Sequence, residues 1–201
     1  MSNQLFPIEG EILPTDGSAV LFPAFLDHIT ADDLFTELLG SLHWEKPQLT
    51  MFGRSVPEPR LSTWHADPGM NYTYSGLERI AQPWTPPLLQ VRQLCEEETS
   101  HSFNGVLVNL YRNGSDHLGW HSDNEKVNGP EPIIASISLG AERRFDFRHR
   151  DTNEVVSTTL PHGSLLVMSG LSQKCWVHRL PKTPRLETPR INLTFRHLFP
   201  Q

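Results

Sequence analysis

Two side chains able to bind a metal, His121 and Asp123, stand one residue apart in the stretch Gly119-Trp-His-Ser-Asp-Asn-Glu125. In an extended segment that spacing puts both on one side of the chain, where they can grip a single ion. His178, in Cys175-Trp-Val-His-Arg179, offers a third donor after 54 intervening residues. Two imidazoles and one carboxylate form the facial set that holds non-haem Fe(II) and leaves positions open for dioxygen and a reductant. A structural zinc would instead want a closed tetrahedron, usually with thiolates. Read without this grouping, His-x-Asp is an ordinary polar pair and His178 a hydrogen-bonded core histidine.

The last candidate strand, Arg190-Ile-Asn-Leu-Thr-Phe-Arg196, adds a second chemical demand. Period two puts Arg190, Asn192, Thr194 and Arg196 on one face and Ile191, Leu193 and Phe195 on the other. Two arginines beside an Asn and a Thr need water or an anion. If the face lines an interior, a dicarboxylate suits it, because Arg can take a carboxylate with two parallel hydrogen bonds. The alternative is a face turned to solvent.

These residues need strands to hold them. From Phe103 onward the sequence reads as short strands near 105–111, 133–139, 143–149, 154–159, 164–168, 175–179 and 190–197. In the first of these, Leu107, Asn109 and Tyr111 share a face opposite Val106, Val108 and Leu110, so Asn109 and Tyr111 can add donors to the same wall. Asn113-Gly114 marks a turn after it.

The first hundred residues differ. An edge strand is expected at Ala19–Phe22. Thr30-Ala-Asp-Asp is expected to cap a helix with the apolar stripe Leu34, Phe35, Leu38, Leu39 and Leu42. Thr85-Pro86-Pro87 opens a second helix, buried through Leu88, Leu89, Val91 and Leu94. Between them, Trp44–Arg60 is broken by prolines and a glycine into a loop or short hairpin. Asp67-Pro68-Gly69 reads as the turn of a hairpin that displays Trp64, Tyr72 and Tyr74. Phe52, in an otherwise polar loop, either tucks onto the core near Trp44 or stays out for a use.

The 201 residues suit a single domain. Seventeen prolines favour strands and loops over long helices. Two distant cysteines, Cys95 and Cys175, give neither a disulfide framework nor a zinc motif and fit a reducing cytosol. No apolar run approaches a membrane span. The formal net charge is −6, but residues 1–100 hold 5 Lys+Arg against 14 Asp+Glu and residues 101–201 hold 12 against 9. The half with the candidate site is the basic one, which keeps a polyanionic partner open. The element pattern predicts an α+β fold whose strands close into a barrel or jelly roll.

Taken together, His121-x-Asp123, His178 and Arg190-x-Asn192-x-Thr194-x-Arg196 resemble the AlkB family of Fe(II)/2-oxoglutarate-dependent dioxygenases. The likeness runs from about Phe52 to Phe199. It takes in Pro59-Arg60-Leu61, Tyr72-Thr-Tyr74-Ser-Gly, Asn109-Leu-Tyr111-Arg-Asn-Gly, Ala135-Ser-Ile-Ser-Leu-Gly-Ala and Leu160-Pro-His-Gly-Ser-Leu-Leu-Val-Met. It is strongest to the branch that repairs alkylated DNA.

The resemblance implies a double-stranded β-helix core over 101–201, with N-terminal helices packed on one sheet and nucleotide-recognition hairpins within 1–100. It implies Fe(II) held by His121, Asp123 and His178, with O2 and 2-oxoglutarate as co-substrates. Arg190 would pair with the distal carboxylate of 2-oxoglutarate, helped by Asn109, Tyr111 and Asn192, and Arg196 would lie near the chelating carboxylate. Glu125 matches the acid that reads the exocyclic amine of a damaged base, with Trp64, Tyr72 and Tyr74 beside it. Phe52 and Gly53 match a finger pushed into the base stack, and Arg54 would meet a phosphate. The implied reaction is oxidative demethylation of 1-methyladenine and 3-methylcytosine in DNA, with RNA left open. The enzyme is expected to be a cytoplasmic monomer with no membrane partner. Asn124 departs from relatives that carry a second acid there, a difference that bears on substrate preference and not on the chemistry. A small-molecule or protein hydroxylase and a non-catalytic barrel are the competing readings.

Overall fold

The structure, a computed structural model, describes residues 10–51, 54–74 and 77–199, with 49–51, 54, 55, 73, 74, 77 and 78 described by backbone alone. Two antiparallel sheets face each other, with helices against the outer face of the larger one. The larger has seven strands, β1 (Gly10–Glu11), β2 (Ser18–Phe22), β5 (Leu61–Ala66), β8 (Gly105–Tyr111), β10 (Ile134–Gly140), β13 (Ser164–Ser169) and β15 (Arg190–Arg196). Their spatial order is β1-β2-β13-β10-β15-β8-β5. The smaller runs β12-β11-β14-β9, from β9 (Leu118–His121), β11 (Arg143–His149), β12 (Val155–Leu160) and β14 (Trp176–Leu180). Two hairpins, β3 (Gln48–Met51) with β4 (Arg54–Pro57) and β6 (Tyr72–Tyr74) with β7 (Leu77–Arg79), stand apart from both.

Side-chain alternation divides the large sheet into two faces of different chemistry. Val106, Val108 and Leu110 of β8, Ala135, Ile137 and Leu139 of β10, and Ile191, Leu193 and Phe195 of β15 form one core. Helices α1 (His28–Ser41) and α2 (Pro86–Thr99) supply Leu34, Leu38, Leu88, Val91 and Cys95 to the same core. Burying each such leucine stabilises the fold by about 1.5–3 kcal/mol. The opposite face turns its polar residues toward the small sheet. A second apolar cluster closes that interior at one end, joining Leu21, Ile134 and Met168 to Phe147, Leu160 and Trp176.

Several local expectations are corrected. The cap of α1 is Asp27, whose carboxylate accepts from the Thr30 N–H at 3.0 Å and its hydroxyl at 2.7 Å. Thr30 is therefore already the third helical residue; a run of several capping residue types left the start ambiguous. Leu39 and Leu89 remain 36% and 45% exposed, so both helical stripes are narrower than the leucine pattern suggested. The strand at 18–22 lies between β13 and the two-residue β1, one position in from the edge.

The expected hairpin across Asp67-Pro68-Gly69 does not form. Instead β5 pairs with β8 along its whole length, while β6 pairs with β7. A long-range apolar pairing wins over the local turn because it completes the core sheet. The short strand β9, Leu-Gly-Trp-His, has too little alternation to be read in advance. A four-residue helix α3 (Ser172–Cys175) precedes β14.

Gly140 ends β10 in the left-handed region, at φ +83°, and its N–H donates to His162 Nδ1 at 2.8 Å. A Cβ there would lie 2.6 Å from the Pro189 carbonyl oxygen and 2.7 Å from the Phe35 ring. Gly140→Ala should destabilise the protein by about 1–3 kcal/mol, lowering Tm by roughly 3–10 °C in a thermal melt.

Candidate active site

The polar interior between the sheets collects the residues that the spacing had grouped. Strand β14 pairs with β9 so that His178 sits directly across from His121, their ring centroids 4.3 Å apart. Asp123 follows just beyond β9. One donor atom from each of the three lies within 4.8 Å of the others. His121 Nδ1 is 2.9 Å from the Gly119 carbonyl, which can only accept, so that nitrogen holds the proton and Nε2 keeps its lone pair.

Asp123 is held from several sides. Its Oδ1 accepts from Arg196 Nη2 at 2.5 Å, leaving Oδ2 facing His178 Nε2 at 3.7 Å. Its backbone N–H donates to Gln173 Oε1 at 2.8 Å, and its carbonyl accepts from Asn128 Nδ2 at 3.2 Å. Burial alone would raise the Asp123 carboxyl, but Arg196, then His178 and His121, outweigh it and hold it below the usual carboxylate range. Burial, then the neighbouring His121, pushes His178 down to about 3. Burial also lowers His121, against the pull of Asp123. Both imidazoles are therefore neutral at physiological pH, the form that binds metal. Two neutral nitrogens and one anionic oxygen on one side of a cavity fit a divalent ion with open positions. Among the described residues no fourth ligand closes the set.

Arg190 fits the second demand. It is 2% exposed, its Nη2 donates to Ser138 Oγ at 2.8 Å, and its guanidinium carbon lies 5.3 Å from the Tyr111 ring centroid. Its Nε has no hydrogen-bond partner, and among the described residues no carboxylate pairs with it. Burial lowers its pKa to about 10. A guanidinium buried in this way calls for an anion in the cavity it lines.

The other expected residues divide. Asn109 Oδ1 accepts from Arg60 Nε at 2.8 Å, which leaves its NH2 for the cavity. Asn192 is occupied within the wall: its NH2 donates to Ser136 Oγ and the Ile137 carbonyl, and its Oδ1 accepts from Thr194. Arg196 serves Asp123, which outweighs burial and raises its pKa. Trp64 is not displayed. It is 2% exposed, bonds the Met70 carbonyl through Nε1, and stacks behind Tyr72 at 5.0 Å. Tyr72, not Trp64, lines the cavity. Glu125 sits half-buried beside Asp123, and burial followed by the Asp123 charge raises its pKa. Phe52 and Gly53 lie outside the described residues, as do the side chains of Arg54 and Tyr74. The residues that sequence alone did not single out are Gln173, Asn128 and Arg60. Only Arg60, in its Pro-Arg-Leu run, left any signal.

Residues 18–196 match the 2OG-Fe(II) oxygenase superfamily. The chain is 41% identical over 198 residues to alpha-ketoglutarate-dependent dioxygenase alkB homolog 3 of Bos taurus, covering 93% of this chain and 68% of that protein. It is 39% identical over 199 residues to DNA oxidative demethylase ALKBH2 of Mus musculus, covering 94% and 83%. The chain belongs to the AlkB family of 2OG-Fe(II) oxygenases. Its fold is shared with the solved structure of OsALKBH1, at a TM-score of 0.61 and 19% identity over 89% of this chain and 97% of that one. In this AlkB-family chain no described helix is long and apolar enough to cross a membrane.

The Arg196–Asp123 pair is nearly solvent-free, so removing one partner leaves a buried charge. Arg196→Met should destabilise the metal-free protein by about 3–5 kcal/mol in a denaturant titration, and adding Asp123→Asn should recover a large part of it.

Proposed function

We propose that this chain oxidatively demethylates N-alkylated bases, 1-methyladenine and 3-methylcytosine, in DNA. The observation that supports it best is one cavity lined both by the His121–Asp123–His178 group and by a buried Arg190 with no carboxylate partner. The names of the relatives, a DNA oxidative demethylase among them, point to the substrate class. Fe(II) bound with 2-oxoglutarate and O2 would supply the oxidation that turns the N-methyl group into a hydroxymethyl group, which leaves as formaldehyde while 2-oxoglutarate becomes succinate and CO2.

The chain's own residues set up that chemistry. His121 Nε2, His178 Nε2 and Asp123 Oδ2 would be the ligand atoms, with Arg196 holding the Asp123 carboxylate in place. Arg190 would hold the distal carboxylate of 2-oxoglutarate, with Asn109 and Tyr111 beside it in the same cavity. A methyl on N1 of adenine or N3 of cytosine lies on the pairing edge, so the base must leave the duplex to reach the cavity. Tyr72 lines the cavity that the base would enter, backed by Trp64 and with the Arg196 guanidinium over its ring, and the Glu125 carboxylate would accept from the exocyclic amine. We read the paired sheets as a double-stranded β-helix forming one domain with its N-terminal elements. A cytoplasmic monomer acting on DNA, with a finger at Phe52–Arg54, belongs to the same proposal.

The test is incubation with oligonucleotides carrying 1-methyladenine or 3-methylcytosine, single- and double-stranded, followed by mass spectrometry. Loss of the methyl group with matching succinate and formaldehyde is expected. Succinate release with every oligonucleotide intact would point to a small-molecule or protein hydroxylase instead.

Alanine at His121, Asp123 or His178 should abolish turnover in a folded protein; near-native activity would remove that residue from the ligand set. Arg190→Ala should raise the KM for 2-oxoglutarate by roughly one to three decades, with little change in the KM for the oligonucleotide.

A further inference from the structure

A glutamate that must read a base amine has three rotatable bonds, and leaving it loose at a cavity mouth costs entropy and precision on every encounter. Here it is not loose. Residues Lys126–Asn128 form a single turn of 3-10 helix, with the Asn128 N–H donating to the Glu125 carbonyl at 2.9 Å. In that geometry residues three apart eclipse, so the Asn128 side chain returns over Glu125. Its Nδ2 lies 2.9 Å from Glu125 Oε2 and 3.2 Å from the Asp123 carbonyl oxygen. One amide group thus joins the reading acid to the backbone of a candidate metal ligand.

The support behind it is rigid. Asn128 is 3% exposed. Gly129 leaves the turn at φ +83°, where a Cβ would meet the Phe199 ring at 2.9 Å. The Phe199 N–H donates to the Val127 carbonyl at 2.8 Å, and Val127 packs on the cluster of Trp64, Tyr72, Leu107 and Leu198.

We propose that Asn128 is a specificity-positioning residue: it fixes the Glu125 carboxylate at a set height above the metal-site loop, so that a base with an exocyclic amine is accepted and one with a carbonyl there is repelled. This rests on the nucleobase demethylase reading above. The chemistry of the choice is simple. 3-Methylcytosine presents an amine at C4 that donates to a carboxylate, whereas 3-methylthymine presents an oxygen that the same carboxylate opposes. A carboxylate free to swing aside discriminates less.

The experiment measures kcat/KM on single-stranded oligonucleotides carrying 3-methylcytosine or 3-methylthymine. Wild type should favour 3-methylcytosine. Asn128→Asp, nearly isosteric but placing a like charge against Glu125, and Asn128→Ala should each reduce that ratio on the order of 10-fold. Glu125→Gln should reduce it too, and adding either Asn128 substitution to Glu125→Gln should reduce it no further. A thermal melt identifies which Asn128 variant is folded and is therefore read. An unchanged ratio, an equal loss on both lesions, an undiminished effect in the Glu125→Gln background, or unfolding of both variants would overturn the inference. Wild type that turns over 2-oxoglutarate but acts on neither lesion would defeat the demethylase reading itself.

Discussion

A carboxylate with almost no solvent, Asp123, is the constraint around which the site is arranged. An isolated ionised group in such a place is strongly disfavoured, so its surroundings must supply the compensation that water would. Arg196 from β15 neutralises one oxygen, the His178 imidazole of the small sheet faces the other, and Gln173 and Asn128 hold the flanking peptide groups. These partners come from both sheets, from α3 and from the Lys126–Asn128 turn. The charge that would bind a metal is thus also a reason for the two sheets to meet in this register.

The large sheet makes this possible by being two-faced. Every second residue of β8 and β15 enters the helix-backed apolar core, which anchors the strands; the residues between them are then free to be polar. Register matters because a slip by one residue would turn Ile191, Leu193 and Phe195 to the cavity and the polar set to the core. The buried arginines take different roles despite sharing a face. The Arg196 charge is met by Asp123, although its Nε, like that of Arg190, has no hydrogen-bond partner; Arg190 leans on Ser138 and Tyr111 and lacks an acid, so of the two its charge is the one left to recruit an anion.

A second buried carboxylate ties the hairpin β6–β7 to this wall. Glu58 is fully buried and pairs with Arg79 of β7 at 3.0 Å and with Arg60 at 3.4 Å. Arg79 also donates to Ser62 of β5, and Arg60 to Asn109 of β8. The position of the hairpin and the orientation of the Asn109 amide thus depend on one charge network. Its members sit close enough that their mutational effects should not add.

Much of this site was legible in the sequence because it is written in short spacing. Period two assigns the faces of β8 and β15 correctly, and His-x-Asp states its own geometry. Arg190 and Arg196 fall on the same face for the same reason. What spacing could not supply is which distant groups satisfy a buried atom. That Asn192 is occupied by Ser136 and Ile137, that Trp64 stands behind Tyr72, and that β5 joins β8 across some forty residues all depend on long-range pairing. So does the contact of Gln173 with the Asp123 N–H. Local pattern determined which side chains share a face; only tertiary packing decided what each face meets, because the cost of an unpaired buried group is settled by neighbours remote in the chain.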